Sequence, residues 1–169
     1  IDAINETENA KLVAICDTDP SRMENIIKES PGLKAYTDLY ELLKDSEVDV
    51  ISICTPSGTH APIAVEAANA KKHVLVEKPI ALTEEDANKI IEACSRNNVK
   101  LSVVHPNRYR PALQYFKSLK KNEKFGKISH ANATVRWNRN QEYYDQAPWR
   151  GTKKYDGGVL MNQAIHNLD

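Results

Sequence analysis

A chain of 169 residues is long enough for one domain and too short for two full ones. Its 41% apolar and 27% charged residues are ordinary for a soluble globular protein, and 23 basic against 23 acidic residues exclude an electrostatic pull towards nucleic acid or membranes. No apolar run nears the length of a bilayer span, and no signal-peptide pattern is present.

The first hundred residues alternate strand and helix signals. Lys11 to Cys16 is a short apolar strand closed by Asp17. Asp19-Pro20 then opens a helix, with Asp19 as N-cap, Pro20 at the first helical position and Met23, Ile26 and Ile27 as its apolar stripe. Thr37 is expected to cap a short helix carrying Leu39, Leu42 and Leu43. Val48 to Cys54 reads as a strand covered on both faces, interrupted only by Asp49 and Ser52. A helix over roughly residues 59–71 leads to a strand over 73–76. The box Thr83-Glu84-Glu85-Asp86 starts the next helix, whose buried face is Ala87, Ile90, Ile91 and Cys94. Lys100 to Val104 is the following strand. Repeated units of this length predict a parallel sheet with helices on both faces.

After His105 the texture changes, and a domain boundary is placed near residue 106. Residues 1–105 form one expected unit and residues 106–169 the start of a second. Pro111 to Lys121 reads as a helix, and Lys127 to Trp137 alternates as a strand of a different sheet would. Asn138 to Tyr155 is polar, aromatic and irregular, as a substrate-facing loop is. Gly157 and Gly158 precede a helical stretch reaching the last residue. Cys16, Cys54 and Cys94 are odd in number, far apart and set in apolar segments. They predict buried free thiols in a reducing, cytoplasmic compartment, not a disulfide framework or zinc site.

A dinucleotide-binding sheet opens with a strand, a glycine-rich turn and a helix N-terminus that cradles the pyrophosphate. None of the six glycines forms that pattern. The acid that holds the ribose follows it by about 20 residues, so with Asp17 in that role the motif falls before Ile1 and residues 1–5 become the tail of the first helix. The fold expected is therefore α/β: an incomplete Rossmann-type doubly wound parallel sheet followed by the start of an α+β substrate domain. The strand expected to be absent lies at the sheet centre, between those at residues 11–16 and 50–54.

Four groups carry candidate chemistry. Asp17, at a strand end, can accept hydrogen bonds from a ribose and repel the extra phosphate of NADP, or it can simply cap Asp-Thr-Asp-Pro. Thr55-Pro56-Ser57-Gly58-Thr59-His60 follows a strand and leads into a helix, where a cofactor would cross the sheet or where ordinary turn chemistry would stand. Glu77-Lys78-Pro79 ends another strand, at the edge where open parallel sheets bind ligands. By itself Lys78 is equally a solvated turn residue. Asn162 and His166, four apart after the glycine pair, share one helix face. A metal reading is weak, because asparagine is a poor ligand and no further histidine or carboxylate completes a set.

With Thr55-Pro56 to His60, Glu77-Lys78-Pro79, and Gly157-Gly158 to His166 in this order, the chain resembles the Gfo/Idh/MocA oxidoreductases over essentially its whole length. The resemblance implies catalytic roles for Lys78 and His166, with Asp17, Thr55, Pro56, Ser57, His60, Glu77 and Lys78 around a nicotinamide cofactor, NAD rather than NADP. It implies a dehydrogenase acting on a CH–OH group of a sugar, with Lys78, Asn162 and His166 at the substrate and the full-length enzyme a homo-oligomer. One departure stands out: many members carry aspartate where this chain has Asn162. An amide can orient a hydroxyl but cannot take its proton, so base duty shifts to Lys78 or His166. Within the family, Asn162-Gln163-Ala164-Ile165-His166 and Trp149-Arg150-Gly151-Thr152 are most similar to the UDP-N-acetylglucosaminuronate dehydrogenases. Arg136, Arg139 and Arg150 are then candidates for the carboxylate or diphosphate of such a nucleotide sugar, or else members of a solvated strand and loop. An inositol or simple aldose dehydrogenase and a non-catalytic dinucleotide-binding protein are the alternatives.

A sheet without its central strand leaves two open edges, so residues 1–169 expressed alone are expected to aggregate or remain partly unfolded. A cooperative melt with a monomeric elution profile would overturn this.

Overall fold

The computed structural model describes residues 1–169. Strands β1 (Ala14–Cys16) and β2 (Lys34–Tyr36) form a parallel pair. Strands β3 (Val50–Ile53), β4 (His73–Glu77) and β5 (Leu101–Val104) form a parallel sheet in that order. No ladder joins β1 to β3, so the break falls where the sequence placed its missing strand. Helix α1 (Asp2–Asn5) precedes β1, and α2 (Glu24–Glu29), α3 (Leu39–Lys44), α4 (His60–Asn69) and α5 (Glu84–Asn97) make the crossovers that parallel strands require. This is the expected α/β, Rossmann-type arrangement. No helix is long and apolar enough to cross a membrane.

Helix starts follow capping chemistry. Asp19 accepts the Ser21 amide at 3.0 Å, ahead of a 3-10 turn over Pro20–Arg22 that leads into α2. Thr83 Oγ1 accepts the Asp86 amide at 3.1 Å and starts α5, which ends on Asn98 in the left-handed region (φ 55°). For α3 the expected cap is one residue off. Asp38, not Thr37, has the extended backbone that points its carboxylate at the Glu41 amide, 3.0 Å away. Strand β2 was not anticipated, because Lys34-Ala35-Tyr36 has no apolar run; pairing with β1 makes it a strand.

The core lies between α4, α5 and one face of β3–β5. Ile51 pairs with Val74 and Ile53 with Val76, so these buried side chains share a face. Ala64, Ala67 and Ala68 are fully buried and bring α4 close to the strands and to α5. Ile90 fills the space between, a burial contributing about 1.5–3 kcal/mol. Three expectations fail here. Val50 is 52% and Ile91 50% exposed, because Val50 has the opposite strand parity to Ile51 and Ile91 sits next to the buried Ile90 on the turned-away side of α5. Cys16 and Cys54 are exposed, and only Cys94 is buried. Cys16 ends β1 and Cys54 follows β3, the two strands that flank the break, so neither is covered.

Beyond β5, a 3-10 turn (Pro106–Tyr109) leads to α6 (Pro111–Lys121), which has the boundaries expected but buries no side chain. Residues 127–137 form no strand, contrary to expectation: alternation alone cannot make one when no neighbour supplies a ladder. Helix α7 (Gln141–Asp145) and an irregular loop follow. The last helix opens as a π-helical turn over Leu160–Ala164 and closes as α8 (Ile165–Leu168).

Asp45 ties β2 to the end of α3. Its carboxylate accepts the Glu47 amide at 3.0 Å, Lys34 Nζ at 2.9 and 3.1 Å and the Tyr36 hydroxyl at 3.0 Å. The Glu47 amide and then Lys34 hold its pKa down at about 2, below the ordinary 3.8. The ionised form is thus favoured by folding, and this stabilisation is complete above pH 3.8 and lost as pH falls through about 2. Lys34, raised by Glu47 and Asp45, keeps its share until the pH exceeds its ordinary 10.5. Asp45→Asn is expected to flatten the fall of Tm with pH across this acid window; an unchanged acid limb would refute the assignment.

Candidate active site

The carboxyl ends of parallel strands lie along one edge of a sheet. In the three-stranded sheet that edge carries Thr55 to Ser57 after β3, Glu77 and Lys78 at the end of β4, and His105 after β5, while Asp17 follows β1 in the separate parallel pair. The segment from Arg150 to His166 returns to the same edge and meets Lys78.

Lys78 precedes Pro79 across a cis peptide bond. Its Nζ donates to the Asn162 main-chain oxygen at 2.7 Å and to Asn162 Oδ1 at 3.2 Å. Burial lowers the Lys78 pKa, and Glu77 and Asp156 partly oppose this. His166 is lowered too, by burial first, then by Lys78 and His105, so its imidazole is neutral at pH 7. Its main-chain oxygen accepts Asn107 Nδ2 at 2.8 Å. Asn162 and His166 straddle the junction of the π-helical turn and α8, and π-helical turns frequently occur at functional sites.

Two groups went unnoticed in the sequence. Asp156 is 4% exposed; its carboxylate accepts the Gly151 amide at 2.9 Å and, through a short contact, Asn162 Nδ2. The only signal was an acid directly before the glycine pair. His105 has a buried Nδ1 with no hydrogen-bond partner, 3.5 Å from Asp169 Oδ2. Its place at the end of β5 was the available clue.

His60 is 1% exposed, with Nδ1 2.7 Å from Pro79 O and Nε2 2.9 Å from Thr55 O. Its ring stands between these two carbonyls and spans the β3–α4 turn and the Lys78–Pro79 turn. In that first turn Thr55 is exposed, Pro56 half-buried and Ser57 buried, and the Thr59 hydroxyl bonds to Thr55 and Pro56. The Gly58 amide donates to Tyr155 O at 3.0 Å, and a Cβ at Gly58 would collide with the Lys154 carbonyl. A glycine is therefore required where the two halves of the site touch.

Asp17 Oδ1 accepts the Asp19 amide at 2.9 Å, which is the capping role, while Oδ2 lies 3.7 Å from Arg22. Its side chain is one-third exposed and keeps an acceptor for a ribose. Asp17, the Thr55–Ser57 turn and Glu77–Lys78 each stand at the carboxyl end of a parallel strand, and their hydroxyl and carboxylate chemistry fits the sugar and amide groups of NAD. No group of three or more His, Cys, Asp or Glu side chains is arranged to hold a metal.

Beside Asn162 opens a cavity of about 380 Å³, lined by Tyr144, Arg150, Gly151, Asp156, Asn162 and Gln163 among others. Its size suits a small-molecule ligand. The Arg150 guanidinium lies 4.3 Å from the Tyr143 ring centroid and 5.2 Å from that of Trp149, and its buried Nε has no acceptor. Arg139 sits over Trp137 and Tyr143 and reaches Gln163 Oε1 at 3.4 Å. Arg136 is exposed on the irregular 127–137 stretch and forms no hydrogen bond or ion pair; the structure does not bring it to the cavity.

Residues 1–105 match the "Oxidoreductase family, NAD-binding Rossmann fold", and residues 113–169 match the "GFO/IDH/MocA C-terminal domain". The WlbA dehydrogenase from Bordetella pertussis, solved in complex with NADH and UDP-GlcNAcA, is 40% identical with a TM-score of 0.88, over 93% of this chain and 49% of that one. Among relatives, a 1-carboxy-3-chloro-3,4-dihydroxycyclohexa-1,5-diene dehydrogenase of Comamonas testosteroni is 34% identical over 94% of this chain and 40% of its own length. A myo-inositol 2-dehydrogenase of Thermotoga maritima is 31% identical over 96% and 46%. The chain thus spans less than half the length of these relatives. These two family matches place the chain in the Gfo/Idh/MocA family of oxidoreductases.

Proposed function

We propose that this chain carries the Lys78–His166 active site of an NAD-dependent dehydrogenase that oxidises a secondary hydroxyl of a nucleotide sugar acid, a UDP-N-acetyl-hexosaminuronate. The observation that carries this reading is Lys78 Nζ, partly desolvated and held by Asn162 at 2.7 and 3.2 Å beside a neutral His166. The cavity with an unpaired Arg150 Nε supports an anionic substrate, as does 40% identity to an enzyme solved with NADH and UDP-GlcNAcA.

In this reading Asp17, Thr55, Ser57 and Glu77 hold the cofactor along the sheet edge, with Pro56 shaping the turn. NAD, when bound, supplies the hydride acceptor. Lys78 Nζ, in its neutral form, takes the proton from the sugar hydroxyl as the carbon gives up hydride. His166 bonds the same oxygen and shares the proton, and Asn162 positions the sugar. Arg150 meets the carboxylate or diphosphate with its planar guanidinium, stiffened by the Tyr143 and Trp149 rings.

The test is appearance of reduced-nicotinamide absorbance when the enzyme meets NAD and a sugar panel. Reduction with UDP-GlcNAcA and not with myo-inositol or free aldoses supports the reading; the reverse pattern replaces it with an inositol dehydrogenase, and binding of NAD without any reduction refutes the catalytic assignment. Lys78→Met is expected to lower turnover roughly 10²–10⁴-fold, the range of a positioned acid or base. Because base duty needs the unprotonated amine, activity should fall on the acid side of a limb set below the ordinary lysine value of 10.5. Arg150→Ala should raise KM about 10- to 100-fold for the uronate, as loss of a charged hydrogen bond does, and leave neutral sugars unaffected.

A further inference from the structure

We propose that Asp156 is a positioning residue for Lys78, acting through Asn162: its buried carboxylate holds the Asn162 amide with the carbonyl oxygen towards the lysine. The inference rests on the reading of Lys78 as the proton acceptor.

An asparagine amide offers an acceptor on one side and two donors on the other, and by shape alone it fits either way round. At Asn162 its two neighbours decide. A lysine ammonium only donates, and an ionised carboxylate only accepts. Asp156 Oδ1 takes the Nδ2 side, which leaves Oδ1 of Asn162 for Lys78 Nζ at 3.2 Å. Asp156 is itself fixed: Oδ2 accepts the Gly151 amide at 2.9 Å, and its own amide donates to Thr152 O at 2.9 Å. At 4% exposure the carboxylate has no water shell to replace these donors. The ionisable groups facing Lys78 are Glu77 on β4, Asp156 on the loop, and His166 on α8.

The carboxamide of Asp156→Asn has the same shape but cannot accept from both Gly151 and Asn162, because one of its two ends is a donor. Asn162→Asp alone sets two carboxylates against each other, so one must hold a proton or move away. The reciprocal pair Asp156→Asn with Asn162→Asp matches every donor again. The new amide donates to residue 162 and accepts from Gly151, and the carboxylate faces Lys78 directly.

The three variants are compared with wild type in the NAD-bound enzyme. Each single substitution is expected to lower kcat roughly 10²-fold with little change in KM, as misplacement of a reacting group does. The double variant is expected to recover to within about tenfold of wild type. The second readout needs no substrate: the pH dependence of trace acylation of Lys78, followed by mass spectrometry. Its midpoint should move down in Asp156→Asn, which removes a facing negative charge, and up in the double variant. An unmoved midpoint, unchanged kcat in Asp156→Asn, or a double variant no better than the singles would each overturn the proposal. A drop in Tm with kcat preserved would overturn it as well, by making the role purely structural. If wild type oxidises no sugar yet the midpoint shifts as described, the functional reading fails and the positioning of Lys78 by Asp156 stands.

Discussion

A lysine ammonium withdrawn from water must find acceptors, and Lys78 finds both of its acceptors on Asn162, 84 residues further along the chain. Much of the surrounding structure answers to that contact. Strand β4 carries the lysine to the sheet edge; the π-helical turn and α8 bring the asparagine and histidine to meet it. The intervening loop must fold back far enough to close the circuit. Burial without those acceptors would cost several kcal/mol, which is why a charged group in such a place is held so closely.

Two supports make the meeting possible. His60 stands behind the edge, its ring joining the carbonyls of Thr55 and Pro79, so that the turns after β3 and β4 move as one piece. Gly58 gives its missing side chain to the Lys154–Tyr155 backbone, against which the second segment rests. The sheet edge and the loop that faces it are therefore joined by backbone-level contacts, which tolerate little substitution. The arginines of the loop are ordered differently, by stacking on Tyr143, Trp149 and Trp137.

The electrostatics follow from the same packing. Burial pushes both Lys78 and His166 towards their neutral forms, and the Lys78 charge lowers His166 further. Glu77 and Asp156 oppose the shift at the lysine. An amide at position 162 leaves the pair without a directly contacting carboxylate, and the nearby negative charge comes from a residue that looked like part of a loop.

Local patterns determined the parts of this protein that local physics governs. The Thr83 box, the Pro111–Lys121 helix, the strand ends at Asp17 and Glu77-Lys78 and the glycine pair before Asn162 were all readable, because capping, periodicity and turn chemistry act within a few residues. The place of the break beside β1 and β3 was readable too, from the absence of a glycine-rich turn. What needed the tertiary structure were features whose cause lies far along the chain. Lys34–Tyr36 becomes a strand only because β1 pairs with it, and residues 127–137 fail to become one for want of any partner. His60 is seen as a clasp between two turns, and Asp156 as the anchor of Asn162, only once the distant segments have met. Hydrogen-bond partners and burial are set by which distant segments meet, and composition and spacing carry no record of that meeting.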